Sequence, residues 1–127
     1  MKIAVLIARL LLGLEFLIFG LNGFLHFIPM PPPSGLAGQY MVVMSETHLL
    51  VLVFALQVAG GLLLLSGQFV PLALVLLGPI LVNVLEFHLL VAPAGLPLAV
   101  FTLVLWLVVF IGVRRAFSGI FASKVTA

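Results

Sequence analysis

Residues 10–28 read LLLGLEFLIFGLNGFLHFI. That run is close to the ~20 residues a helix needs to cross roughly 30 Å of hydrocarbon. It belongs to a first span read as residues 3–28, and three further apolar runs follow at about 46–66, 70–92 and 96–113. With 65% hydrophobic and only 6% charged residues in a 127-residue chain, the apolar side chains outnumber what a small water-soluble domain could bury. Lipid is the solvent that fits. The continuous runs lack the period-two alternation of a membrane β-barrel, so the expected fold is all-α, a transmembrane four-helix bundle within residues 1–115.

Boundary chemistry supports the spans. Ser45 is expected to cap the second, with Glu46 in its first turn. Pro71 and Pro97 suit the first turns of the third and fourth. The short links Gly67-Gln68-Phe69 and Pro93-Ala94-Gly95 make the last three spans antiparallel neighbours. Lys2 and Arg9 precede most of the first span, while Arg114, Arg115 and Lys124 follow the fourth. The outer links hold neither Lys nor Arg, so the positive-inside rule puts both termini and the tail at 116–127 in the cytoplasm, across an inner membrane. Lys2 and Arg9 before an apolar stretch also resemble a signal peptide, but Glu15 interrupts that stretch and no A-x-A site follows; the segment is expected to be retained. Basic residues confined to the chain ends point to the lipid bilayer as partner and not to nucleic acid. The absence of cysteine excludes disulfides and thiolate chemistry.

The first loop is distinctive. Pro29, Pro31, Pro32 and Pro33 end the first span, and 36–44 then reads as helical, with Leu36, Tyr40 and Val43 along one side. Joined straight to the second span, it would run about 46 Å at 1.5 Å per residue, too long for one bilayer. A bend near Ser45 is expected, with a short extracytoplasmic interfacial helix bearing Tyr40 at headgroup level. That helix reads as a membrane-resting segment, or alternatively as a lid over a cavity.

Polarity inside the spans is concentrated in the outer half. Glu15, Phe19, Asn22 and His26 stack on one face of the first helix. Pro79, Asn83 and Glu86 share a face of the third, where Pro79 frees the carbonyl of Val75 as an acceptor. Gln57 lies in the second. Together Glu15, Asn22, His26, Gln57, Asn83 and Glu86 form the candidate polar pocket, with Glu46, His48 and His88 as candidates nearer the outer surface. Glycines at 13, 20, 23, 60 and 61 read as packing positions. The amides also read as interhelical glue and the histidines as headgroup-level side chains. Glu15 is the exception, because a carboxyl group near the midplane needs a proton, a partner or water. Arg9 lies about 120° away around the helix and is a poor partner for it.

A carboxyl group, amides and imidazoles opening to one leaflet suit a quinone or similar lipophile. Haem between two histidines is disfavoured, because His26 and His48 lie too near the surface to bury the macrocycle. No metal site is expected, since His26, His48 and Glu46 provide no ligand pair at helical spacing. Thr102 and Trp106 on the fourth span carry no evident chemistry.

The stretch Ala8-Arg9-Leu10-Leu11-Leu12-Gly13-Leu14-Glu15-Phe16, continuing to Phe19-Gly20-Leu21-Asn22, resembles the first helix of DoxX-like membrane proteins. Gly60-Gly61 with Leu62 to Leu65, Pro71-Leu72-Ala73, and Pro79-Ile80 through Asn83 to Phe87-His88 extend the resemblance across residues 4–115. It implies a four-helix bundle of a bacterial inner membrane, related to a subunit of a thiosulfate:quinone oxidoreductase, to components of membrane oxidoreductase complexes and, more distantly, to animal receptor-assembly chaperones. Arg9, Asn22, Asn83 and His88 match recurring positions. Glu86 departs from an apolar position, and Ala92 from an acidic one. The function expected from residues and resemblance together is a quinone- or lipophile-binding component of a membrane redox system, working with a membrane or redox protein partner. The alternative is a non-catalytic assembly or interaction subunit.

Overall fold

A computed structural model describes residues 1–126, which are helical with no strand among the described residues. Helix α1 spans Lys2–Leu25, α2 Gly35–Glu46, α3 Leu49–Ser66, α4 Val70–Leu90 and α5 Leu96–Val113, with 3-10 turns at Pro93–Gly95 and Arg114–Phe117. Four of these elements, α1, α3, α4 and α5 with its flanking turns, are long and apolar enough to cross a membrane. Only 22–33% of the most apolar stretch of each is buried within the protein. The remaining apolar faces need a nonpolar solvent, which is what a bilayer supplies.

The four long helices close a ring in which α1 packs on α3 and α5, α3 on α4, and α4 on α5. Lipid tails are as apolar as leucine, so helices associate in a bilayer through close backbone approach and dispersion. The α1–α3 seam shows how. A Cβ at Gly61 would lie 2.7 Å from Leu17 N and 2.8 Å from Gly13 O, so no side chain fits there. Gly60 turns toward α4, where a Cβ would meet Leu77 Cγ at 2.6 Å.

Leu12, Leu64, Leu74, Leu77 and Val109 are the largest fully buried side chains, and all lie in one half of the bundle. That half ends in Lys2, Arg114 and Arg115, which line one cleft; it is the basic end. Arg9 belongs to it too. Its Nη1 donates to Leu64 O and, at 3.5 Å, to Leu65 O, placing a cation on the exposed carbonyls at the C-terminus of α3, where the helix dipole favours one. Gly67, at φ 73°, closes α3 by donating its N–H to Leu63 O at 3.1 Å, a left-handed cap that suits glycine.

The opposite, histidine end is irregular. Helix α1 stops at Leu25 rather than Ile28, because His26 adopts φ 52° and the Asn22 side chain turns to accept the Ile28 N–H at 2.7 Å. The break after α2 also differs from expectation. Ser45 and Glu46 complete the last turn of α2, and α3 begins at Leu49 with His48, at φ 60°, as its cap. The bend lies there because Thr47 turns both its N–H and its Oγ1 back to Val43 O, at 3.1 and 2.6 Å. Those bonds finish one helix, and the left-handed His48 redirects the chain into the next. Helix α2 touches α3 lightly and reaches α4 through Tyr40, whose ring centroid lies 5.2 Å from that of Phe87.

Pro79 interrupts the hydrogen bonding of α4, yet the carbonyl used across helices is not that of Val75. Trp106 Nε1 donates to Leu74 O at 3.2 Å, because Leu74 faces the core while Val75 is 52% exposed. Trp106 thus ties α5 to α4.

Candidate functional site

Each of the four long helices sends one polar side chain into a single cavity of about 340 Å³: Glu15 from α1, Gln57 from α3, His88 from α4 and Thr102 from α5. The rest of the wall is apolar, including Phe16, Phe19, Leu81 and Ala99. Glu15 and Thr102 are directly joined, with Thr102 Oγ1 hydrogen-bonded to Glu15 Oε1. The same hydroxyl lies 2.9 Å from Leu98 O, the back-bond a helical threonine makes to its own preceding turn. The other carboxyl oxygen, Glu15 Oε2, is buried without a hydrogen-bond partner among the described residues. Neither Lys nor Arg lines the cavity. A buried polar atom left in this way is costly unless something else meets it.

His88 is seated by its surroundings. Its Nδ1 lies 3.1 Å from Ala92 O, and a backbone carbonyl can only accept, so Nδ1 carries the hydrogen of this bond. The ring rests on Gly95, where a Cβ would fall 2.2 Å from Cε1. The glycine of the Pro93–Gly95 turn therefore gives His88 its place. His88, grouped from sequence with the candidates nearer the outer surface, lies in the last turn of α4 and on the wall of the Glu15 cavity. Gln57 is buried and lines both this cavity and its neighbour.

The remaining sequence candidates separate. Asn83 lines a second cavity of about 390 Å³, with Tyr40, Met41 and Met44 of α2 on its other side. Its Nδ2 is committed to Pro79 O at 3.1 Å. Asn22, His26 and His48 line a third and wider cavity of about 690 Å³ together with Met30 and Met41. Glu46 and Glu86 are exposed and line none of these three. The polar layer expected as one pocket is thus divided among three cavities. Among the described residues, no three His, Cys, Asp or Glu side chains converge as metal ligands.

Thr102 was passed over in the sequence. Its signal was present, because it shares a helical face with Ala99, Leu105 and Val109, all buried on α5. A lone hydroxyl on that inward stripe has to meet whatever polar group the facing helix offers. No protein-family model, curated protein or solved structure matches the chain.

Proposed function

We propose that this chain is a DoxX-like integral membrane protein that binds a quinone or a similar lipophile as a component of a membrane redox system. The observation that carries the reading is the cavity in which four helices each place one polar group against otherwise apolar walls. Such a site buries a hydrophobic body and fixes the orientation of a polar head. The Glu15 carboxyl group and the Gln57 amide are the groups that meet the head, and the His88 ring adds a further polar contact.

In this reading the basic end faces the cytoplasm with both termini, since it gathers Lys2, Arg114 and Arg115. The histidine end then opens to the extracytoplasmic side of an inner membrane. There α2 lies at the interface and roofs the Asn83 cavity with Tyr40, Met41 and Met44. Flexible methionines suit a wall that adjusts to a ligand tail.

The test is reconstitution of the purified protein with ubiquinone or menaquinone. Saturable binding that is lost in Glu15→Gln is expected. Absence of saturable binding, together with recovery of a stoichiometric protein partner from native membranes, would replace this reading with that of an assembly subunit.

A further inference from the structure

Thr102 has one hydroxyl hydrogen and two acceptors within reach, Leu98 O at 2.9 Å and the hydrogen-bonded Glu15 Oε1. A hydroxyl can donate only once but can accept as well, while a backbone carbonyl accepts only. When Thr102 donates to Leu98 O, its bond to Glu15 therefore requires the hydrogen to come from the carboxyl group. When Oε1 has no hydrogen to give, the hydroxyl turns and donates to it. Leu98 O loses little by this, since a helical carbonyl keeps its own amide partner. The pair has two complete arrangements, and they differ in whether Oε2 carries the carboxyl hydrogen.

We infer that Glu15 and Thr102 form a two-way hydrogen-bond switch that lets this cavity hold a ligand oxygen either as a ketone or as a hydroxyl, the two heads of a quinone and its quinol. The inference rests on the reading of the cavity as a lipophile site. For a ketone, the carboxyl hydrogen sits on Oε2 and is donated to the ligand, while Thr102 donates to Oε1. For a hydroxyl, the carboxyl hydrogen sits on Oε1 and is donated to Thr102, Thr102 donates to Leu98 O, and Oε2 accepts from the ligand. Every hydrogen is used in both arrangements. The carboxyl group is a neutral acid in both, so binding moves neither charge nor electrons.

The surroundings agree with a neutral acid. From α4, His88 is the one other titratable side chain lining the cavity; α3 contributes Gln57 and α5 contributes Thr102. Glu86, also on α4, is exposed and outside it. Arg9, on α1 itself, is engaged with the carbonyls of Leu64 and Leu65. No counter-charge from Lys or Arg reaches the site, and this arrangement needs none. Thr102 is a positioning residue here, since it acts through the carboxyl group.

The test uses the whole protein in lipid nanodiscs. Infrared spectroscopy without ligand reads the C=O stretch of the carboxylic acid, and the chain has only three Asp or Glu residues, so one substitution assigns the band. The expected band disappears in Glu15→Gln, moves to higher frequency in Thr102→Val and returns in Thr102→Ser. Binding is then measured for a short-chain ubiquinone and its quinol. Thr102→Val should weaken the quinol about tenfold while leaving the quinone within about twofold, because only the hydroxyl arrangement strands a buried donor. A band that Thr102→Val does not move, or an equal loss of both ligands, overturns the switch while leaving the lipophile site standing. A responsive band in a protein that binds neither ligand overturns the lipophile reading, and with it the ligand assigned to the switch.

Discussion

The two ends of this bundle are built on opposite principles. At the basic end, Leu12, Leu64, Leu74, Leu77 and Val109 are fully buried. At the histidine end three cavities open between the helices, and polar side chains line them. The contrast separates what holds the protein together from what it is free to use. In a bilayer, stability comes from dense contact between helices. A cavity forfeits that contact, so a hollow half has to be supported by a solid one.

The largest expected effect lies in the solid half. Gly61→Val should cost about 3 kcal/mol or abolish folding, since overpacking a close seam forces backbones apart. Loss or strong depression of the thermal unfolding transition in detergent would show it. A tolerated Gly61→Val would mean that the seam is not what holds α1 to α3. Next comes Arg9→Met, which keeps the length of the side chain but leaves the Leu64 and Leu65 carbonyls without their donor. About 1–2 kcal/mol should be lost, read as a lower melting temperature with ligand binding unchanged. The smallest change should have the opposite sign. Glu15→Leu removes the polar atom that has no partner, and Thr102 can still donate to Leu98 O. It should raise stability by about 1 kcal/mol, as replacing a buried ionisable group with an apolar one often does, and it should eliminate ligand binding. A destabilised Glu15→Leu would make the carboxyl group a structural element and erase the distinction between the halves.

How much of this was legible in the sequence follows the same division. The apolar runs gave the long helices because a spanning segment is defined by length and hydropathy alone. The packing glycines were legible too, since small residues in apolar helices have few other uses. What could not be read was azimuth between helices. Glu15, Asn22 and His26 share a face of α1 by spacing, yet Asn22 caps the helix end and Glu15 meets Thr102. Spacing orders residues along one helix and says nothing about which neighbour they meet. The outer-surface grouping of His88 rests on its position near the end of its span, and the contact of its ring with the Gly95 turn is invisible to spacing. The bend at Thr47 and His48 was displaced from Ser45 for a local reason: a threonine hydroxyl can finish a helix as effectively as a serine can start one.

The solid half also bears on which end of the bundle Glu15 faces. Leu12, Leu64, Leu77 and Val109 are wholly inaccessible, and among the described residues the buried polar side chains, Gln57 and Thr102, line the Glu15 cavity. They form an apolar layer between the Glu15 cavity and the basic end. If the cavity holds a ligand as proposed, that ligand is exchanged at the histidine end. On the proposed reading, the cavity is a blind well with an apolar floor.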